Sequence, residues 1–271
     1  MKYEKIVQAK FIERENRFVA RVELVDDRPG GTGFTDAVGQ VVKVHVKNTG
    51  RCRELLVPGA TVYLEDFEGR MGSRRMRYSL VAVEKRIDDR ALLINMDSQA
   101  PNKVVQEALE EGRIVLPGLT DTPDAAGRRL ETPGTGKGLT GTKPLLLIKP
   151  EAQYGNSRFD FYVEGVGSAF IEVKGVTLEE NGHARFPDAP TERGVKHINE
   201  LIRARREGFA AYIIFVVQMA GMKDVSPNYA THAAFGEALA KATAAGVQIL
   251  AYDCAVTPDS LTINKRIGFH L

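Results

Sequence analysis

The chain has 271 residues, 43% of them hydrophobic and 27% charged, with a formal net charge of +2 at pH 7; this is a globular composition that excludes a disordered chain, and the near-balanced charge argues neither for nor against nucleic acid. No apolar run approaches the roughly 18 residues of a membrane helix, and the start, Met1-Lys2-Tyr3-Glu4-Lys5, lacks the apolar stretch of a secretory signal. Two isolated cysteines, Cys52 and Cys254, are too few for a disulfide framework or a thiolate metal site, so a reducing, cytoplasmic location is expected.

Residues 1–90 carry 18 Lys and Arg against 14 Asp and Glu. A phosphate-binding module would give that surplus, and so would scattered surface side chains. Apolar and polar residues alternate over Phe18–Leu24, Val42–Val46, Ala60–Leu64 and Tyr78–Val83, which predicts half-buried strands. The Gly-rich segment Pro29–Gly33 and the turn Val57-Pro58-Gly59 separate them. Short strands at this spacing predict a small all-β barrel, OB-like, over residues 1–84. Its basic residues fall into three groups: Arg14 and Arg17 around Asn16; Lys47, Arg51 and Arg53 in one loop; and Arg74, Arg75 and Arg77. Loop donors of this kind suit phosphate contacts, whereas Phe11 and Phe18 are either base-stacking rings or core.

From residue 85 to 271 the pattern becomes that of an α/β domain. Asn102 is read as the N-cap of a helix reaching Gly112, with Val104, Val105, Ala108 and Leu109 as its apolar stripe. Glu107 and Glu111 lie one turn apart beside that stripe, either as a solvated face or, for Glu107 first, as a site acid. Residues 120–143 read as a long loop. Gly136-Lys137 is followed by Gly138 and does not complete a phosphate loop. Gly31-Thr32-Gly33 and Gly165-Val166-Gly167 lack the last glycine of the dinucleotide fingerprint, and no His-Glu-x-x-His pair suggests a zinc hydrolase.

The strands Arg158–Tyr162 and Ile171–Lys174 follow, joined by a turn at Glu164–Ser168. Side chains alternate along a strand, so Glu172 and Lys174 share a face, and a neighbouring strand brings Asp160 to them. Charges within apolar strands are costly unless paired or holding a metal. Two carboxylates suit Mg²⁺ or Mn²⁺, and Lys174 beside them suits orientation of a water. The ordinary alternative is a Glu172–Lys174 salt bridge. Thr191 then caps a helix ending at Gly208, whose Val195, Ile198, Leu201 and Ile202 face inward and whose Arg193, Lys196, Arg203 and Arg206 face out. An apolar strand Ala211–Val217 ends at Gln218, which either reaches the same pocket or simply marks the strand end. A helix over about 230–245 and a strand over 247–252 complete the pattern.

Several of these segments resemble the sugar fermentation stimulation protein A family: Phe11-Ile12-Glu13-Arg14-x-Asn16-Arg17-Phe18, His45-Val46-x-Asn48-Thr49-Gly50-Arg51, Glu107-Ala108-Leu109, Tyr154 to Asp160, Glu172 to Leu178 and Phe186 to Gly194. The resemblance covers nearly the whole chain. It implies an N-terminal OB-like domain, a mixed-sheet C-terminal domain similar to PD-(D/E)xK nucleases, and DNA as partner; with no helix-turn-helix or zinc-finger signature to read bases, strong sequence specificity is not expected. Carried over by position, the nuclease pattern falls on Asp160, Glu172 and Lys174, with Glu107 as the upstream acid. The expectation is a DNA-binding protein with a Mg²⁺- or Mn²⁺-dependent phosphodiesterase site: Asp160 and Glu172 on the metal, Lys174, Glu107 and Gln218 around it, and Arg14, Arg17, Lys47, Arg51 and Arg53 on the nucleic acid. The competing expectation is a non-catalytic DNA-binding regulator of sugar (maltose) metabolism that keeps the fold.

Overall fold

The computed structural model describes residues 1–25, 38–48, 50–88, 90–120 and 146–271. The glycine motifs at 31–33 and 136–138 and nearly all of the loop at 120–143 lie outside the described residues.

Six strands form the first unit: β1 (Ile6–Asn16), β2 (Val19–Leu24), β3 (Val41–Val46), β4 (Thr61–Asp66), β5 (Tyr78–Ile87) and β6 (Arg90–Asn95). Their order is β3-β2-β1-β4-β5-β6, and parallel pairing of β3 with β5 closes the first five into a barrel. Period-two alternation drives this closure: Ala9 and Phe11 of β1, Ala20 and Val22 of β2, Val44 and Val46 of β3 all point inward and are buried. The expected OB-like barrel is present, with one correction: a boundary after residue 84 would cut β5. Asp88 takes φ +52° in a tight hairpin, β6 pairs with β5 over Arg90–Asn95, and the unit therefore runs to Asn95. The unexpected β1 has two register shifts, at Phe11/Glu13 and Arg14/Asn16, which break the alternation over its charged half.

The second unit contains α1 (Ala100–Glu110), β7 (Leu147–Tyr154), β8 (Ser157–Glu164), β9 (Ser168–Val176), β10 (Leu178–Glu180), β11 (His183–Phe186), α2 (Glu192–Arg206), β12 (Ala210–Val217), β13 (Asp224–Pro227), α3 (Tyr229–Ala244), β14 (Gln248–Thr257), β15 (Ser260–Arg266) and β16 (Gly268–Phe269). Its main sheet has the order β15-β14-β12-β9-β8-β7, with β9, β12 and β14 parallel and the outer strands antiparallel. The wholly apolar β12 lies at its centre, buried on both faces as the sequence requires. One face packs on α1 through Val104, Val105 and Ala108 against Ile171, Val173 and Ile214. The other meets α2 and α3 through Ile198, Leu201, Phe235 and Leu239 against Ile213 and Phe215. This second apolar layer is continuous with the barrel core, so the two units share one packed interior. No helix among the described residues is long and apolar enough to cross a membrane.

Polar clamps reinforce the junction. Gln218 donates from Nε2 to the backbone oxygen of Asn95 at 3.1 Å, to Asn95 Oδ1 at 2.9 Å and to the backbone oxygen of Asp97 at 3.0 Å. Lys85 of β5 donates to Glu179 of β10 at 2.5 Å. The Arg51 N–H donates to Asp188 Oδ2 at 3.2 Å.

Candidate metal centre and nucleic-acid interface

The β8–β9 hairpin turns over Gly165–Gly167 as expected, and the pair Glu164↔Ser168 closes it. Its far end is irregular at Asp160. The β7–β8 register sets Glu151 across from Asp160, and Glu151 takes φ +52°. Phe159 enters the α2–α3 core while Phe161, two residues on, enters the α1 core. Regular alternation would send both the same way, so β8 bends at Asp160. Ladder pairing with β9 is recorded only as far as Phe161↔Ile171. Beyond it the Asp160 carboxylate replaces a carbonyl, accepting the Val173 N–H on Oδ2 at 2.7 Å. Its Oδ1 accepts the Asn102 amide at 2.7 Å.

Glu172 is only 3% exposed. Its Oε1 accepts two hydrogen bonds, from Lys174 Nζ at 2.5 Å and from His197 Nδ1 at 2.6 Å. Its Oε2 is buried and has no donor. Arg193 Nε donates to His197 Nε2 at 3.4 Å, which assigns the ring proton to Nδ1, facing Glu172. The cap places this histidine: Thr191 Oγ1 accepts the Gly194 N–H at 3.1 Å, and the helix it starts turns His197, Ile198 and Leu201 inward.

The two carboxyl groups titrate in opposite directions. Burial, and then the neighbouring Glu172 charge, raise the Asp160 carboxyl, only partly offset by the Val173 N–H and the Asn102 amide. Burial would also raise Glu172, but the His197 hydrogen bond and the Lys174 charge outweigh it and hold the group below the ordinary carboxylate range. The Glu172 charge adds to the effect of burial on Asp160, and a cation nearby would offset that part of the rise.

Glu172 and Lys174 are thus bonded to each other, and Asp160 is bonded to the backbone N–H of Val173 between them. Glu107 is engaged elsewhere, its Oε2 accepting the Met1 α-ammonium at 2.7 Å. Among the described residues no set of three or more His, Cys, Asp and Glu could hold a metal ion. Gln218 serves the inter-unit clamp described above. Asn102 is not the helix cap; Gln99 holds that position and Pro101 sits in the first turn, which frees the Asn102 amide for Asp160. Asn102 and His197 are the two residues of the pocket that sequence reasoning missed. The available signal for His197 was a titratable ring on the apolar side of an otherwise aliphatic helix face.

Of the five basic residues expected on nucleic acid, two are used internally. Arg14 donates to the backbone oxygens of Arg17 at 2.7 Å, Asn48 at 2.6 Å, Gly50 at 2.7 Å and Arg51 at 3.0 Å. Lys47 donates to the buried Asp97 at 2.8 Å. Arg17, Arg51 and Arg53 are exposed. In the third group, Arg77 is paired with Asp66 and Glu68, Arg74 lies over the Phe67 ring at 3.6 Å, and Arg75 is exposed.

Residues 12–94 match the family model of the SfsA N-terminal OB domain, and residues 99–260 match that of the sugar fermentation stimulation protein RE domain. A sugar fermentation stimulation protein homolog of Clostridium beijerinckii is 46% identical over 98% of each chain. One from Desulfitobacterium hafniense is 46% identical, covering 96% of this chain and 94% of that one. The solved structure of Pyrococcus furiosus SfsA in complex with Ca²⁺ is similar with a TM-score of 0.75 and 25% identity, covering 100% of this chain and 98% of that one.

Proposed function

The chain belongs to the sugar fermentation stimulation protein family, and we propose that it binds DNA and carries in its second unit a divalent-cation site of phosphodiesterase type. The observation that carries this reading is the buried, donorless Oε2 of Glu172, next in the strand to Val173, whose N–H the Asp160 carboxylate accepts. A buried anionic oxygen without a partner costs about 1–3 kcal/mol or more, and both protein donors in reach crowd onto Oε1 instead. Coordination of a hard cation would satisfy Oε2 and relieve the repulsion on Asp160. The similar Pyrococcus structure is described as a complex with Ca²⁺, another oxygen-seeking ion.

In this reading Asp160 and Glu172 hold Mg²⁺ or Mn²⁺, ions that keep several waters and need only one or two carboxylates. When bound, such an ion supplies Lewis-acid charge to a phosphate oxygen. Lys174 orients the attacking water and offsets charge on the phosphate. His197 fixes Glu172, Asn102 fixes Asp160, and Arg17, Arg51 and Arg53 hold the nucleic-acid backbone. Both cysteines are free and buried, which fits the reducing cytoplasm we assign to it.

A second reading, a non-catalytic DNA-binding regulator of sugar metabolism, is favoured by Lys174 being already tied to Glu172 and by the lack, among the described residues, of a group of three or more metal-ligating side chains. Incubating single- and double-stranded DNA with the protein and Mg²⁺ or Mn²⁺, beside Asp160→Ala and Glu172→Ala, decides between them. Metal-dependent product lost in both variants supports the phosphodiesterase. DNA binding with no product supports the regulator, and product that survives both substitutions removes the site assigned here.

A further inference from the structure

Phe18 sits in the turn just ahead of β2, at the rim of the barrel, and stays in water. The inward residues of the strand it leads into, Ala20, Val22 and Leu24, are at most 4% exposed, whereas Phe18 is 50% exposed. It is neither part of the apolar core nor packed against it. Its backbone is nevertheless fixed, because the Phe18 carbonyl accepts the Val46 N–H at 2.8 Å and the Phe18 N–H donates to Asn16 Oδ1 at 2.9 Å. A large exposed ring on a backbone fixed at the barrel rim offers a face to a flat apolar ligand.

The surroundings define that ligand. Arg14 draws the β1–β2 turn and the loop after β3 together by donating to Arg17, Asn48, Gly50 and Arg51. This groups three exposed guanidinium side chains, Arg17, Arg51 and Arg53, on the two segments beside the ring. Glu54 is the exposed acid of this loop, while Glu13 and Glu15 are paired with Arg21 and Lys43. The loop is also seated on the second unit: the Arg51 N–H donates to Asp188 Oδ2, and a Cβ at Gly50 would lie 2.3 Å from that oxygen, so a larger residue there would have to displace the Asp188 carboxylate. Asp188 stands just ahead of α2, and His197 lies within that helix. Extended-chain and helical rises bound their separation at roughly 20 Å.

We propose that Phe18 is a base-stacking platform for single-stranded DNA, flanked by phosphate contacts from Arg17, Arg51 and Arg53 and leading toward the Asp160–Glu172 pocket. The inference rests on the DNA reading above and narrows its substrate class. Bases inside a duplex are already stacked on their neighbours, so an exposed ring gains a partner only where a base is unpaired or terminal.

The chain contains no tryptophan, so Phe18→Trp introduces a single indole reporter at the platform. Fluorescence anisotropy with a labelled oligothymidine and a duplex of equal length tests the full-length protein, Phe18→Ala and Phe18→Trp, with melting temperatures confirming the fold. Phe18→Ala is expected to weaken single-strand binding by about tenfold, in the range of one stacked base, and to leave duplex binding unchanged. Phe18→Trp is expected to restore the affinity, with its emission quenched as the oligonucleotide saturates. Single-strand affinity unchanged in a folded Phe18→Ala protein, or indole emission indifferent to the oligonucleotide, overturns the platform while leaving the DNA reading intact. Failure of the unsubstituted protein to bind either DNA overturns the DNA reading itself and the platform with it.

Discussion

His197 Nδ1 sits 2.6 Å from Oε1 of Glu172, the oxygen that already accepts Lys174. Two donors on one oxygen leave the other buried and bare, so the histidine sets which lone pairs of Glu172 remain for a ligand. Outer-shell partners of this kind typically alter metal affinity by 10- to 100-fold. Titration calorimetry with Mn²⁺ should therefore show His197→Ala weakening binding by at least about tenfold. His197→Asn, whose amide can replace the Nδ1–H donor, should recover part of it. Equal affinity in all three proteins would show that Glu172 is held without the histidine.

Arg14 and Arg51 look equivalent in the sequence and should behave differently. Arg14→Ala strips donors from five backbone carbonyls, those of Asn16, Arg17, Asn48, Gly50 and Arg51, and loosens both rim segments, so a stability loss of about 1–3 kcal/mol is expected in urea unfolding. Any loss of DNA affinity in that variant would follow from disorder of the rim. Arg51→Ala removes an exposed side chain and should leave stability within about 0.5 kcal/mol. It should lower the slope of log affinity against log salt by about one, the signature of one lost phosphate contact. A salt slope unchanged in Arg51→Ala would take this residue off the nucleic-acid path.

The Lys85–Glu179 pair joins the barrel to the second unit and carries a pH dependence whose sign follows from its geometry. Burial would raise the Glu179 carboxyl, but the Lys85 hydrogen bond and the Gly182 N–H outweigh it and lower the group. A carboxyl lowered in the folded state contributes stability that is present above its unfolded value of about 4.3 and is lost as pH falls through the folded value. Lys85→Met leaves a buried carboxylate without its cation and should cost about 3–5 kcal/mol at pH 7. The difference from the parent should narrow on approach to pH 4, where Glu179 in the variant takes up a proton. A difference that stays constant between pH 7 and pH 4 would mean the pair is not the source.

Much of this was legible in the chain, and the misses have physical causes. Alternation located β2 to β5, and charge inside the apolar segments Arg158–Tyr162 and Ile171–Lys174 pointed to the pocket, because period two is a local property. The pairing of Asn102 with Asp160, 58 positions apart, is not local. An asparagine ahead of an apolar helix reads as a cap, and here the cap lies three residues earlier, at Gln99, with Pro101 in the first turn. Lys47 and Arg14 illustrate the same limit. Both are basic residues near loops, but the partners that consume them, Asp97 and a set of backbone carbonyls, appear only once the barrel closes.

Gly175 marks where β9 meets the start of α1, and its substitution tests whether the pocket depends on that contact. Its φ is not positive, so the requirement is space rather than backbone freedom: a Cβ there would lie 2.6 Å from Gln218 Oε1 and 2.7 Å from Pro101 Cγ. Neither neighbour can yield easily. The Gln218 amide is fixed by its bonds to Asn95 and Asp97, and Pro101 lies in the first turn of the helix whose Asn102 holds Asp160. Overpacking of this kind costs about 1–3 kcal/mol, and movement of Pro101 would carry the Asn102 amide off Asp160. Gly175→Ala should therefore lower both stability and Mn²⁺ affinity. If Gln218 is the main obstacle, adding Gln218→Ala should restore part of the cation affinity even though it removes the clamp, because the two substitutions share one volume and will not add. A Gly175→Ala protein with the parent's melting temperature and Mn²⁺ affinity would show that strand and helix are not in the close contact on which the placement of Asn102 depends.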